Sequence, residues 1–223
     1  MDWKQLGFLT PDAPECQQDL WALLNRLHLS AAEMCEEIAI RTAEPTWAAV
    51  FEESVTHFHD LANLLAEEAG PAAQERIEED ELVRELMNVL GEVGTSGHVP
   101  SLIATVYAVL VELGRAPVRL FVDVAGPQGS LVANRILDDT SHHPLARVLS
   151  ATDFSSSDRD NLRRLLRHLH GLLFDVFRSW RQTFHALGID GEILDDAARE
   201  TARAAYGELG LKASRTDLSV FST

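Results

Sequence analysis

The sequence has few of the residues that build cross-linked, nucleic-acid-binding or membrane-spanning proteins. Its two cysteines among 223 residues are too few for a disulfide framework and do not form a Cys-x-x-Cys motif. Basic side chains are also scarce, because 19 Lys and Arg stand against 35 Asp and Glu, which gives a formal net charge of −16. Such an excess of negative charge repels phosphate backbones and anionic membrane surfaces. We therefore expect neither nucleic acid nor a membrane as a partner.

Targeting segments and familiar catalytic motifs are also missing from the sequence. No basic segment followed by an apolar run opens the chain, and the longest apolar stretch, 99–111, is too short to span a bilayer. A soluble, cytoplasmic protein is the expectation. The sequence contains no glycine-rich phosphate loop, no Gly-x-Ser-x-Gly turn and no His-Glu-x-x-His zinc motif.

Helical periodicity is what the sequence does contain. Apolar residues recur three and four apart almost from end to end, while strand signals are nearly absent, so we predict an all-α protein. Proline and glycine set the helix borders. We therefore expect one helical domain over residues 1–211 and a flexible tail over residues 212–223. The predicted helices cover 13–43, 45–69, 101–125, 130–150, 155–188 and 192–209, with an amphipathic crossover over 72–90 and a loop over 91–100. Pro117 is expected to kink the third of these helices. Apolar stripes that we expect in the core lie on the first helix (Leu20, Leu24, Leu27, Ala31, Met34 and Ile38) and on the fifth (Phe174, Phe177, Trp180 and Phe184).

Glu112 is the only acidic or basic side chain between Val99 and Leu113, in a helix that is apolar on every side. Burying a lone carboxylate costs several kcal/mol, so the group must be paired, protonated or bound to a metal. The alternative is that Glu112 reaches solvent near Gly114. If it were an unpaired charge in a core that has lost its metal, Glu112→Gln would stabilise the protein.

Two further positions pair an acid with a histidine. On the second helix, His57 shares a strip with Ser54 and Leu61, so it is either a hydrogen-bonded core residue or a ligand. On the fourth helix, Asp139 and His142 are three residues apart and therefore share one patch. This second motif is short, and Pro144 disfavours helical geometry at the residue before it.

In two antiparallel helices joined by a short turn, residues equally far from the turn lie side by side, and we call such residues level with each other. About the turn at 44–45, His57 is level with Glu33, whereas counting helix faces favours Glu37, so the acid on the first helix stays open. About the turn at 126–129, Asp139 and His142 are level with residues 112–115. Each hairpin thus offers a carboxylate facing an acid-plus-histidine pair, which is the arrangement of a di-iron or di-manganese site.

These hairpins resemble those of ferritin-like non-haem di-iron proteins, particularly bacterial relatives of the tRNA-modifying iron hydroxylase. The likeness is carried by residues 53–58 (Glu-Ser-Val-Thr-His-Phe), by residues 136–142 (Ile-Leu-Asp-Asp-Thr-Ser-His) and by the crossover between the second and third helices. It covers about residues 20–150. Two positions depart from the family: Ser54 stands where Glu precedes the histidine by three residues, and Asp139 stands where Glu is usual.

The resemblance implies a ferritin-like four-helix bundle with additional crossover and C-terminal helices. It also implies a metal-dependent oxidoreductase in which two iron ions, or manganese, activate dioxygen to hydroxylate or oxidise a small organic substrate. An electron-donor protein would be a partner, and the negative charge argues against tRNA as the substrate. The implied metal ligands are Glu33 or Glu37, His57, Glu112, Asp139 and His142, with Glu53 either a ligand or an acid that orients His57, and with Glu53 and Glu112 as the catalytic carboxylates.

Two alternatives use the same residues. A metal-free bundle with a lost site would act as a ligand-binding or interaction module, which the displaced Glu53 and the nearby Pro144 favour. A metal-independent catalyst would use Glu112 and His57 as an acid–base pair. A homodimer is a further expectation, with Trp21 and Trp47 as candidate contact residues.

A basic patch on the fifth predicted helix has no place in the metal site. Arg163, Arg164 and Arg167 lie close together on an otherwise acidic chain. The patch is either a solvated helix face or a docking site for an anionic group or carrier protein. His168 and His170, two residues apart, cannot share a helix face, and we expect both at the surface or in a groove.

Overall fold

The computed structural model describes residues 13–122, 124–125, 127–141, 148 and 154–211, and only the backbone for 127–130 and 139–141. Within those ranges the chain is helical apart from short connections and has no strand, which confirms the all-α prediction. The elements are α1 (Ala13–Arg41), α2 (Pro45–Glu79), α3 (Glu81–Ser96), α4 (Val99–Thr105), a π-helical segment (Val106–Leu113), α5 (Arg115–Val122), α6 (Pro127–Ser141), α7 (Ser156–Ser179), α8 (Arg181–Ala186) and α9 (Gly191–Glu208).

The first two helices form the longest hairpin and contribute much of the core. The stripe predicted for α1 is buried along its length: Leu20, Leu24, Leu27, Ala31, Met34 and Ile38. A polar contact fixes the pairing with α2, because the Asn25 side chain donates to the carbonyl of Ala62 at 2.7 Å, 37 residues along the chain. Cys35 is fully buried in this core, and burial raises the pKa of its thiol.

The crossover contains two breaks. Gly70 has φ of +75°, which only glycine adopts without strain, and a helix resumes at Pro71, the position where proline is favoured. Asp80 then caps α3 by accepting hydrogen bonds from the amides of Leu82 and Val83. Its other oxygen accepts a hydrogen bond from the indole N–H of Trp180 at 2.9 Å. The break at 70–71 confirms the predicted end of the second helix.

The loop predicted over 91–100 is wrong. Helix α3 continues through Gly91 and Gly94 and ends at Gly97, whose φ of +66° terminates it in the left-handed conformation. The amphipathic pattern of α3 is strong enough to hold both glycines in a helix. Only two residues, Gly97 and His98, then separate α3 from α4.

The central helical run continues from Val99 to Val122 and is, by length and composition, able to cross a membrane. In the structure 78% of its most apolar window is buried inside the bundle, so these residues form a core helix. The run is not α-helical throughout. It passes through the π-helical segment and turns at Gly114, three residues before the predicted kink at Pro117.

Two further sequence interpretations need correction. The predicted fifth helix does not run unbroken to Gly188, since it breaks at Trp180 between α7 and α8. The predicted core stripe Phe174, Phe177, Trp180 and Phe184 is nevertheless buried. Trp21 is no dimer contact, because it is 1% exposed and packs edge-on against Phe121 with ring centroids 5.4 Å apart.

Candidate functional site

Glu112 lies in the π-helical segment and is compensated by two arginines. Its carboxylate accepts a hydrogen bond from the guanidinium of Arg115 at 2.8 Å, and Arg119 lies 3.6 Å from the other oxygen. The Glu112 and Arg115 side chains are only 16% and 8% exposed. Burial lowers the pKa of Arg115, and the Glu112 carboxylate offsets part of that shift. The carboxylate is therefore paired with cations of the protein itself.

The local backbone explains why Glu112 and Arg115 meet. The amide of Gly114 bonds to the carbonyl of Val109, five residues earlier, as in a π-helix. A Cβ atom on Gly114 would lie 2.6 Å from the carbonyl oxygen of Leu110, so this close approach requires glycine. Helix α5 restarts directly afterwards, with Arg115 in its first turn. π-Helical turns occur frequently at functional sites.

The two candidate acids on α1 do not point into the bundle. Glu33 is exposed and Glu37 is half-buried, and both line a surface groove of about 340 Å³ between α1 and α3. The Glu37 carboxylate accepts a hydrogen bond from Arg41 at 2.7 Å, one helical turn later. Neither acid therefore lies on the buried face of α1.

On α2 the acid and the histidine differ in burial. Glu53 is exposed, whereas His57 is half-buried, with its ring centroid 6.0 Å from that of Phe58. Ser54, at the position where the resembled family has Glu, is fully buried, and its hydroxyl donates to the Val50 carbonyl at 2.8 Å. That hydroxyl is engaged by its own helix.

The α6 pair cannot be placed in the same detail. Asp139 lies within α6, where the backbone alone is described, and His142 lies outside the described residues. Across the rest of the described chain, no group of three or more His, Cys, Asp and Glu side chains could hold a metal ion. The described donors thus do not fit a di-metal centre, because Glu112 faces guanidinium groups and Glu33 and Glu37 face solvent. The full ligand set stays a prediction.

Sequence reasoning missed the polar groups that are buried. Arg115 could have been found from its spacing of three residues from Glu112, which brings opposite charges together on a helix. His170 is fully buried, so the prediction of a surface position is wrong, and its Nε2 lies 3.3 Å from the carbonyl of Ala108 in the π-helical segment. His170 is four residues after Leu166 and three before Leu173, both of which are buried. This spacing places the three residues on one helix face and could have indicated that His170 is buried.

A cationic groove lies along α7, where the sequence indicated a basic patch. Arg164, Arg167 and His168 are exposed and line a groove of about 530 Å³ together with half-buried Gly171 and Leu172. Arg164 donates to the neutral amide oxygen of Asn161 at 2.8 Å, and Arg167 forms no ion pair with any described residue. Asp175 is the acidic residue among the lining residues described. We refer to this feature as the α7 groove.

Comparison with known proteins gives a structural likeness. No protein-family model matches the sequence, and no curated protein is similar to it. The fold is similar to the solved structure of a protein with aldehyde deformylating oxidase activity from Synechococcus, with a TM-score of 0.71 and 12% sequence identity. The match covers 96% of this chain and 97% of the other.

This likeness confirms the predicted fold class. The chain is a ferritin-like helical bundle, and the match covers nearly its whole length. An identity of 12% bears on the fold alone. A closer relation to tRNA-modifying hydroxylases is not tested by it and stays a prediction.

Proposed function

We propose that this chain is a ferritin-like binding module that takes up an organic anion in the α7 groove and works without a di-metal centre. The observation that carries the proposal is the pair of exposed guanidinium groups of Arg164 and Arg167, neither of which meets a carboxylate among the described residues. Guanidinium groups are suited to bind carboxylate and phosphate through paired hydrogen bonds.

The composition of the groove indicates what kind of anion it suits. Leu172 and Gly171 provide an apolar floor beside the arginines, so the favoured ligand has an anionic head and an apolar body. The groove volume of about 530 Å³ is that of a small-molecule site. The chain has a net charge of −16, so most of its surface repels anions. An anionic ligand would therefore bind preferentially in the local cationic groove.

The central ion pair supports the metal-independent part of the proposal. A carboxylate held by Arg115 at 2.8 Å and approached by Arg119 has its lone pairs engaged by cations. Binding a metal ion there would place further positive charge beside a buried guanidinium, which costs free energy. Glu112 therefore serves as an internal counter-ion for Arg115.

Titration calorimetry with decanoate tests the anion site, with decanol as the uncharged control. We expect decanoate to bind and the affinity to fall with ionic strength, because the contact is exposed and charged. The double variant Arg164→Gln/Arg167→Gln should weaken binding about tenfold, since two exposed charge contacts contribute about 0.5–1 kcal/mol each. Arg203→Gln, an exposed arginine on α9 outside the α7 groove, is the matched control. Equal binding of decanol, or an unchanged double variant, would refute the proposal.

A second candidate function is the oxidoreductase implied by the sequence resemblance. Two observations favour it: the π-helical turn at Glu112, and the structural likeness to a protein with aldehyde deformylating oxidase activity. An iron pair would supply dioxygen activation. Its ligands would be Glu33 or Glu37, His57, Glu112, Asp139 and His142, with Glu53 nearby, after the Glu112–Arg115 pair had opened.

Anaerobic reconstitution with Fe²⁺ followed by elemental analysis distinguishes the two candidates. The binding module should retain well under one equivalent of iron per chain after desalting. Two equivalents that are lost in both His57→Ala and Glu112→Gln would establish the oxidoreductase instead. Glu36→Gln, an exposed acid on α1, is the control for non-specific binding.

A further inference from the structure

A second groove adjoins the α7 groove and lies between α3, the start of α4 and α7. Its volume is about 530 Å³, and its apolar lining comes from Val89, Val93 and Leu165. Ser101 and His98, from the connection into α4 and its first turn, line the same space. We call this feature the α3–α7 groove. The two grooves share His168.

Ser101, His98 and Asp158 form a relay of polar contacts at this groove: a hydrogen bond from Ser101 to His98 and an ion-pair contact from His98 to Asp158. The Ser101 hydroxyl lies 2.8 Å from Nδ1 of His98. On the other side of the imidazole, Nε2 lies 3.4 Å from a carboxylate oxygen of Asp158, which belongs to the first turn of α7. A hydroxyl, an imidazole and an orienting carboxylate in this order are the parts of a serine nucleophile, recognised by geometry and not by chain position.

The carboxylate determines how the imidazole is protonated. Asp158 faces Nε2, so the proton of the neutral ring is favoured on Nε2 and the lone pair of Nδ1 faces the Ser101 hydroxyl. Asp158 is itself held in place, because its other oxygen accepts hydrogen bonds from the hydroxyl of Ser155 at 2.6 Å and from the Ser155 amide at 3.2 Å. The Ser155 hydroxyl and His98 hold the pKa of Asp158 below its usual value, so this carboxylate is ionised at neutral pH.

We propose that Ser101 is a nucleophile activated by His98 and Asp158, and that the α3–α7 groove accepts the apolar acyl group of an ester. The half-buried Ser101 stands beside the apolar lining, where an acyl chain would lie against Val89, Val93 and Leu165. Asn161 and His168 also line this groove.

The reaction is a hydrolysis and needs no oxidant or reductant. Oγ of Ser101 attacks the ester carbonyl carbon, and its proton passes to Nδ1 of His98, while Asp158 stabilises the imidazolium at Nε2. The bond to the alkoxy oxygen breaks, and that oxygen takes the proton from Nδ1 and leaves as the alcohol. Water then attacks the acylated Ser101, gives its proton to Nδ1, and releases the carboxylic acid as the proton returns to Oγ.

Covalent labelling with a fluorophosphonate probe tests the nucleophile, with the modified residue located by peptide mass spectrometry. We expect the full chain to be labelled at Ser101 and to release p-nitrophenolate from p-nitrophenyl butyrate in a burst. Ser101→Ala should abolish both signals, and His98→Gln should slow labelling about 100-fold, the lower range for loss of a general base. Asp158→Asn should slow it as well, because the orienting charge is lost.

Two matched controls separate catalysis from helix capping. Ser155→Ala removes the capping partner of Asp158 but keeps the carboxylate opposite His98, so it should slow labelling less than Asp158→Asn does. Thr95→Ala removes an exposed hydroxyl of α3 that does not line this groove and should leave labelling intact. Folding of each variant is checked by circular dichroism. No labelling of Ser101 in the folded chain, or labelling that His98→Gln does not slow, would overturn the proposal and leave the relay as a structural link between α4 and α7. Arg164→Gln/Arg167→Gln should not affect labelling, so this test is independent of the anion site.

Discussion

The carboxylate of Glu112 and the guanidinium of Arg115 form an ion pair at 2.8 Å, one turn apart at the point where the π-helical segment gives way to α5. Both side chains are largely buried, so each compensates the charge of the other. A carboxylate in the apolar run Val99–Val122 is thus explained without a ligand. This pairing reverses the sign of the stability change that the sequence analysis expects for Glu112→Gln in a core that has lost its metal.

Glu112→Gln should destabilise the protein by about 2–3 kcal/mol, because it leaves the buried Arg115 without a carboxylate. A lone buried carboxylate would have given the opposite result. Urea unfolding of Glu112→Gln, Arg115→Met and the double variant measures the coupling. The double variant should be more stable than the sum of the single changes predicts. Additive effects would show that the two groups do not interact.

Gly114→Ala should destabilise the protein by about 2 kcal/mol, since the new Cβ would lie 2.6 Å from the Leu110 carbonyl oxygen. The matched control is Gly91→Ala on α3, where no atom lies within 4 Å of the added carbon. Alanine in that helix interior should stabilise by about 0.5–1 kcal/mol. Thermal unfolding of both variants checks the prediction, and an equal effect at the two positions would contradict it.

His170 should make stability depend on pH. Burial lowers the pKa of His170 to about 4 in the folded chain, against about 6.5 in the unfolded chain. The unfolded state therefore binds the proton first, so stability is fully present above pH ~6.5 and is lost as the pH falls toward 4. The shift corresponds to about 3 kcal/mol.

The variant His170→Gln isolates this effect, because it keeps a side-chain donor for the Ala108 carbonyl and cannot titrate. The difference in unfolding free energy between wild type and variant should narrow as the pH falls from 7 to 4. Parallel curves for the two proteins would show that His170 is not protonated on unfolding.

The substitution Asp80→Ala should destabilise the protein more than the removal of an ordinary N-terminal helix cap does. Asp80 and Asp190 each accept two first-turn amides, of α3 and α9 respectively, but only Asp80 also accepts the Trp180 indole N–H at 2.9 Å. We expect losses of about 2–3 kcal/mol for Asp80→Ala and about 1 kcal/mol for Asp190→Ala. Chemical unfolding of both variants provides the comparison. Equal losses would show that the Trp180 contact adds nothing.

The helical periodicity was sufficient to predict most of the fold. The α1 stripe, the break at Gly70 and the buried aromatic stripe ending at Phe184 follow from spacing and from backbone preferences. The loop assigned to 91–100 failed because glycine is only a weak helix breaker when amphipathic packing holds the helix.

The site was harder to predict. Counting helix faces shows which side of a helix a residue lies on, but it does not show which neighbouring helix packs against that side. Level matching favoured Glu33 and helix-face counting favoured Glu37 as the ligand on α1, yet both line the groove between α1 and α3. The relay at Ser101 depends on the contact between His98 and Asp158, which are 60 positions apart in sequence. No local motif marks such a long-range contact.

The π-helical segment has a consequence for comparing this chain with other helical bundles. A hydrogen bond from Gly114 to Val109 spans one residue more than an α-helical bond, so the segment holds an extra residue in its turn. One residue rotates everything that follows by about 100° around the axis. Alignment of the chain with a regular α-helix therefore needs a one-residue gap within Val106–Leu113, and without it every position from Arg115 to Val122 would be matched to the wrong helix face.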